Sequence, residues 1–232
     1  MKVLTKIYLI ALLLFVFGSS SAQIKYQQIT LVAGAGAATA YAGAGQPQTK
    51  AAFYVGADYY PVQVFNFGME AQSGTLSGIP VPGSRDLKSF SNSYKAVILD
   101  ANLYLGAFFD GRQSDFLNFI RNFYGGVGYG VMFNSINNVD LANPGSTNNL
   151  TNTLKVISFK SGYEFAILKN RGNEPLLKAD LSTRFYYVDG KGVDGYYENF
   201  AKNHSFYTYY AIGLKYTFIL KTSYGQGYKK YD

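Results

Sequence analysis

Nine charged side chains recur on one face of alternating segments, and these residue types could build a buried ion-pair network. Five are acidic and four are basic, namely Asp58, Glu70, Asp100, Glu164 and Asp180 against Lys160, Lys178, Arg184 and Lys215. An unpaired buried charge costs several kcal/mol, so a nearly balanced set favours mutual pairing. The same residues could also line a gated pore or a proton path, and the sequence leaves that alternative open.

His204 and Ser205 are the residue types of a hydrolase site, but their spacing argues against one. Adjacent residues of a strand point to opposite faces, so the two side chains cannot pair directly. The chain has no Cys and one His, which excludes thiol nucleophiles, iron–sulfur clusters and most zinc sites. We therefore predict a protein without catalytic residues, cofactor or metal.

The composition favours β-structure with one unusually apolar face. The 232 residues include 22 Tyr, 18 Phe and 25 Gly, and only 15% are charged, against roughly 25% in soluble domains. The net charge is +7, but the Lys and Arg residues are scattered, so nucleic acid is not expected as a partner.

The first 22 residues have the pattern of a secretory signal peptide. Lys2 and Lys6 precede an apolar run at 7–17, and small residues at 18–22 precede Gln23. As a helix this run would span about 16 Å, short of the roughly 30 Å of a bilayer core. We predict residues 1–22 as the signal peptide and residues 23–232 as one domain.

From Gln28 onward the hydropathy pattern has a period of two, which is typical of β-strands. Eight strands are predicted, at about 28–42, 51–60, 62–73, 93–106, 122–134, 154–168, 176–187 and 205–219, followed by a tail over 220–232. Pro61 indicates a tight corner between the second and third strands. The apolar residues of 116–120 predict a short amphipathic helix within the turn at 107–121.

The composition of the two strand faces indicates which face points outward. One face is bulky and apolar, and the other is largely Gly, Ala, Ser, Asn and Tyr, with too few charges for a water-exposed surface. Such residues suit the narrow lumen of an eight-stranded barrel. We predict an all-β fold, an eight-stranded antiparallel up-and-down transmembrane β-barrel, with a soluble ligand-binding barrel as the alternative. Aromatic girdles at the two membrane interfaces are expected from Tyr41, Tyr59, Phe123, Phe133, Tyr187, Phe206 and Phe218.

Three segments carry a resemblance to a known family. They are the Ser-Ala pair before Gln23, the strand Asn122-Phe-Tyr-Gly-Gly-Val-Gly-Tyr-Gly130, and the last strand Gly213-Leu-Lys-Tyr-Thr-Phe218. The chain resembles small outer-membrane β-barrel proteins of Bacteroidetes type, similar in plan to the eight-stranded OmpA/OmpX-like barrels. The resemblance implies export to the outer membrane, insertion by the barrel assembly machinery and contact with outer-membrane lipids. Family members often end on the last aromatic residue, whereas 14 residues follow Phe218 here.

The connections at one end of the predicted barrel suggest a surface role. Residues 43–50, 74–92, 135–153 and 188–204 join strands there, and three of these segments are long and polar. With the N-terminus in the periplasm they face outward, so we expect a structural or surface-interaction role without catalysis. Basic residues in them are expected to meet anionic lipopolysaccharide, namely Arg85, Lys88, Lys191 and Lys202. The alternatives are a narrow-pore or small-solute barrel and, with less support, an outer-leaflet hydrolase.

Overall fold

The structure is a computed structural model that describes residues 27–42, 45–62, 64–80, 88–108, 114–140, 147–170, 175–189, 192–195 and 205–220. The predicted signal peptide, the tail beyond residue 220, His204, Arg85, Lys191 and Lys202 lie outside the described residues.

Eight antiparallel strands close into an up-and-down barrel, in which each strand pairs with its sequence neighbours and the last pairs with the first. This confirms the predicted fold class. The strands are β1 (Gln27–Tyr41), β2 (Gln46–Val62), β3 (Phe65–Ile79), β4 (Lys88–Tyr104), β5 (Phe123–Asp140), β6 (Thr147–Lys169), β7 (Pro175–Asp189) and β8 (Ser205–Leu220).

The strand register fixes the shape of the barrel. Phe123 pairs with Tyr163, and the circuit of paired residues continues through Leu181, Ile212, Ala35, Phe53, Ser73 and Lys95 to Phe133. One circuit therefore advances ten residues along β5, from Phe123 to Phe133. With ordinary strand spacings, this stagger corresponds to a strand tilt of about 40° and separates the two phenylalanines by about 25 Å along the barrel axis.

Outward-facing side chains form an apolar band around the barrel. Leu99, Phe53 and Ile212 are each more than half exposed, at 61%, 61% and 65%, while their immediate strand neighbours point inward. Water-exposed proteins rarely leave an apolar surface of this extent uncovered. The barrel is therefore built with its apolar side toward lipid and its polar side toward the lumen, as in transmembrane barrels.

Several strands run further than the hydropathy pattern predicts. β4 begins at Lys88, β5 continues to Asp140 and β6 begins at Thr147, so most of the segments predicted as long loops at 74–92 and 135–153 are strand. These extensions carry Ser, Thr and Asn on their outward face, so the apolar alternation disappears although the backbone pairing continues. Pro61 lies inside β2 rather than at the corner. The strand tolerates a proline at this position because it is close to the strand end.

The predicted helix at the end of the barrel is confirmed. Helix α1 (Asp115–Ile120) begins after Ser114, whose hydroxyl accepts a hydrogen bond from the Leu117 amide at 3.2 Å. Phe119 packs against Tyr163, with ring centroids 4.9 Å apart. We call this the α1 end of the barrel and the opposite end the far end. No helix in the described part of the chain is long and apolar enough to cross a membrane.

Candidate functional site in the barrel lumen

All nine charged residues predicted to line the lumen point into it, and they occupy the half of the lumen nearest the α1 end. Eight of them are buried, and the Lys178 side chain is 13% exposed at the α1 end. They come together because the alternation directs them inward from six different strands, and because the strand tilt brings distant register positions to similar heights.

Glu164 on β6 is the centre of the first cluster. Its Oε2 accepts a hydrogen bond from Lys178 Nζ at 2.8 Å, and its Oε1 accepts from Lys215 Nζ at 2.8 Å and from the Tyr104 hydroxyl at 2.6 Å. Lys215 also donates to Asp58 Oδ2 at 2.9 Å. Lys178 and Lys215 lie directly opposite each other on β7 and β8, so Glu164 neutralises what would otherwise be a repulsive pair.

Glu70 on β3 is the centre of the second cluster, which lies nearer the middle of the barrel. Its Oε1 accepts from Arg184 Nη1 and, at 2.6 Å, from Gln72 Nε2. Its Oε2 lies 3.7 Å from Lys160 Nζ, which is also 3.9 Å from Asp100 Oδ2. One arginine and one lysine thus neutralise two carboxylates among buried side chains.

Arg184 is held by aromatic rings as well as by Glu70. Its guanidinium carbon lies 4.0 Å from the centre of the Tyr54 ring and 5.3 Å from that of Tyr209. Its Nε and Nη2 have no hydrogen-bond acceptor among the described residues, so these ring faces are their main electrostatic partners. Tyr54 fits here because Gly34 and Gly213 leave room; a Cβ on Gly34 would lie 2.7 Å from Tyr54 Cζ.

The contacts of Asp180 differ from the expectation that the nine charged residues pair with one another. It makes no ion pair with the described residues; instead, Oδ1 accepts from the Tyr124 hydroxyl at 2.8 Å and Oδ2 from the Tyr54 hydroxyl at 3.4 Å. The sequence interpretation missed these tyrosines as partners. Their inward positions in the alternating strands were the signal that could have identified them.

Tyrosines and aliphatic side chains fill the lumen toward the far end. The Tyr186 and Tyr207 rings stack with centroids 4.4 Å apart, and the Tyr94 ring lies 5.6 Å from that of Tyr207. Buried aliphatic side chains complete this layer, namely Leu76, Met132, Val156 and Val188. This half of the lumen is a packed core, and the sequence interpretation did not single it out.

A short segment between β7 and β8 covers this layer. Val193 within residues 192–195 is fully buried, and its carbonyl accepts from Asn92 Nδ2 at 3.0 Å. Asn92 also donates to Asn134 Oδ1, and Asn134 donates to Asn152 Oδ1, both at 2.8 Å. This chain of amides ties β4, β5 and β6 to the covering segment.

The seven predicted interfacial aromatics face outward in two groups. Toward the far end, Tyr41 and Phe206 stack at 4.9 Å, Tyr187 lies opposite Phe206, and Phe133 lies at a similar height. Toward the α1 end, Tyr59 and Phe218 both pair with Ile29, and Phe123 packs against Tyr163 at 4.5 Å. The groups are about 25 Å apart along the axis, which matches the apolar band of outer-membrane barrels. Their role as membrane girdles stays a prediction.

The described residues contain no group of three or more metal-ligating side chains close enough to hold an ion. What the lumen does contain is a set of charges, all of them except Asp180 ion-paired with other described residues of the barrel, below a layer of packed rings. Chemically, this arrangement gives the charged groups partners and fills the interior.

The fold, the apolar exterior and the polar interior define the chain as a transmembrane-type β-barrel of eight strands. Among solved structures, it is similar to Neisserial surface protein A, with a TM-score of 0.50 and 15% identity over 82% of this chain and 97% of that one. Ail, the attachment invasion locus protein of Yersinia pestis, aligns over 83% of this chain and 99% of its own, with a TM-score of 0.48 and 10% identity.

The similarity to Neisserial surface protein A confirms the predicted resemblance to small outer-membrane barrels at the level of the fold. The Bacteroidetes type stays a prediction. The sequence matches no protein-family model and no curated protein.

Proposed function

We propose that the protein is a non-enzymatic barrel of the outer membrane that supports membrane integrity and presents its far end to the outside of the cell for surface interactions. The observation that carries the proposal is the combination of a filled lumen with strands that continue beyond the outer aromatic group as a polar wall.

The filled lumen supports a structural role rather than transport. The two charged clusters occupy the α1 half, and stacked Tyr186 and Tyr207 with the covering residue Val193 occupy the other half. A barrel of eight strands is just wide enough for side chains to fill it. Solute passage would require several of these buried groups to move together.

The polar wall supports a surface role. Beyond Phe133, β5 exposes Ser135 and Asn137, and β6 exposes Asn149 and Thr151 on the same outer face. Side chains of this kind are suited to water and to hydrogen bonding, in contrast to the apolar residues below them. The wall therefore projects from the membrane and offers a broad β-surface to external molecules.

Export and insertion bring the chain to this position. Residues 1–22 direct export, the barrel assembly machinery inserts the chain, and the N-terminus stays in the periplasm. This orientation places the α1 end in the periplasm and the far end outside. Outer-membrane lipids surround the band, and lipopolysaccharide meets basic residues at the far end, of which Lys88 is described.

Cysteine labelling tests the placement. Because the chain has no native Cys, only the introduced thiol can react. Ser135→Cys and Thr151→Cys should react on whole cells with a maleimide that does not cross membranes. Val127→Cys is the matched control, since it faces outward on β5 within the apolar band and should react only after the membrane is dissolved. Labelling of Val127→Cys on whole cells, or of Ser135→Cys only in broken cells, would contradict the proposal.

The narrow-pore alternative is tested by conductance in planar bilayers. We expect no sustained ion current from the native barrel, because the charged clusters and the tyrosine layer together fill the lumen. The double variant Tyr186→Ala/Tyr207→Ala opens only the far half, so it should also carry no sustained current while the clusters are intact. A steady current through the native protein would favour the pore over the structural role.

A further inference from the structure

A groove runs down the lipid-facing side of the barrel. Its upper part has a volume of about 420 Å³ between Phe53 and Phe133, and its lower part has a volume of about 670 Å³ and reaches Leu214 and Tyr216. Both parts are lined by Val55, Ala71 and Val97, so they form one continuous depression. We call it the lipid groove.

Small side chains form the floor of the lipid groove, and large side chains form its walls. Ala71, Ala33 and Ala57 lie along the floor, whereas Phe53 and Met69 project from the surface and are more than half exposed. The groove crosses from β4 to β8, and because the strands are tilted, this diagonal path descends from the far end toward the α1 end. The groove therefore follows one elongated path across neighbouring strands, the course that an extended acyl chain would take.

Lys95 lies at the top of the lipid groove. It faces outward on β4 and is exposed, and its register partners are Phe133 and Ser73. Phe133 belongs to the aromatic group at the far end, so the ammonium stands at the level where lipid headgroups begin. Lys95 makes no ion pair with the described residues, and no carboxylate lies among its register partners.

We propose that the lipid groove binds one acyl chain of a phosphorylated glycolipid of the outer leaflet, lipopolysaccharide, whose phosphate is bound by Lys95. The proposal goes beyond the surface role, because it concerns the side of the barrel within the membrane and not the polar wall. An apolar groove alone would select no lipid, since bulk acyl chains are equally apolar. The cation at one end of the groove supplies the preference for a phosphate.

Retention of lipid by the purified barrel tests this inference. Barrels are placed in nanodiscs of phosphatidylcholine containing lipopolysaccharide, transferred to detergent, and analysed by native mass spectrometry for lipid bound per chain. We expect one lipopolysaccharide per barrel. Lys95→Gln should reduce retention about fivefold, the size of one lysine's attraction to an anionic lipid surface. Ala71→Phe should fill the groove and abolish retention.

Two matched variants control for general changes in charge and shape. Lys155→Gln removes an exposed lysine at a similar height on β6, which has Asp189 directly opposite. Ala101→Phe enlarges an outward-facing alanine of β4 that lies outside the groove. Both should retain lipid as the native barrel does. Slower gel migration after boiling than before shows that each variant is folded.

Four outcomes would overturn the inference. They are unchanged retention in Lys95→Gln, unchanged retention in Ala71→Phe, equal retention of phosphatidylcholine, and a dimer that occupies the groove and dissociates in Ala71→Phe. Each can occur while whole-cell labelling of Ser135→Cys succeeds, so failure of the lipid site is distinguishable from failure of the proposed function.

Discussion

Replacing Lys215 by methionine should strongly destabilise the barrel. Its Nζ binds Asp58 Oδ2 at 2.9 Å and Glu164 Oε1 at 2.8 Å, and its side chain is only 1% exposed. Asp58 has no other cation within salt-bridge distance among the described residues, whereas Glu164 keeps Lys178. The substitution therefore leaves one carboxylate buried without a partner.

The expected loss follows from that unpaired charge. Removing one partner of a buried ion pair costs about 3–5 kcal/mol, most of it from the charge left behind. Lys178→Met is the matched comparison, because that side chain is partly exposed and Glu164 keeps Lys215. It should cost about 1 kcal/mol.

The double variant Asp58→Asn/Lys215→Met separates electrostatics from packing. With the carboxylate neutralised, the free energy of unfolding should return to within about 2 kcal/mol of the native value, giving a coupling energy of at least about 1 kcal/mol plus the cost of Asp58→Asn measured alone. The measurement is equilibrium unfolding in urea with the barrel in lipid vesicles, followed by the gel mobility of unboiled protein.

Two results would refute this reasoning about Lys215. One is a Lys215→Met barrel as stable as Lys178→Met, which would mean that water reaches Asp58 freely. The other is a double variant no more stable than Lys215→Met alone, which would place the loss in packing rather than charge.

Two further substitutions probe the packing of the Tyr54 ring and the chain of amides by the same unfolding measurement. Gly34→Ala should cost about 2 kcal/mol because its Cβ would meet both the Tyr54 ring and, at 2.5 Å, the backbone oxygen of Ile212, whereas Gly125→Ala should cost nothing, since its Cβ would meet no atom closer than 4.0 Å. Equal effects would show that the ring and the neighbouring strand both adjust at no cost. Asn134→Ala removes one buried and one part-buried hydrogen bond and should cost about 2 kcal/mol, against less than about 0.5 kcal/mol for the exposed Asn137→Ala. A loss of similar size at Asn137 would indicate that strand propensity, not the amide chain, stabilises this end.

The apolar alternation was sufficient to predict the number of strands, and the composition of the polar face was sufficient to predict which face meets lipid. It was not sufficient to predict where β4, β5 and β6 end. Ser91, Ser135 and Thr151 lie in strands whose two faces both carry polar residues, so hydropathy has no period there. Backbone pairing continues regardless of side-chain polarity, and it becomes visible only when the neighbouring strand is in place.

The features of the lumen likewise divide into those that the sequence predicts and those that it does not. The strand period predicts that Glu164, Lys215 and Asp180 face inward. It does not predict that Lys215 binds two carboxylates while Asp180 binds only tyrosine hydroxyls. These contacts join residues up to 157 positions apart and depend on the stagger around the barrel.

The sequence by itself determined an eight-stranded barrel with an apolar exterior and a charged, nearly neutral interior, because a period of two requires only local backbone geometry. The tertiary structure alone decided which charges pair, that tyrosines fill the far half of the lumen, and that alanines on neighbouring strands align into a groove below Lys95. These features depend on barrel closure and strand tilt, which bring residues together across strands in a way that no single segment encodes.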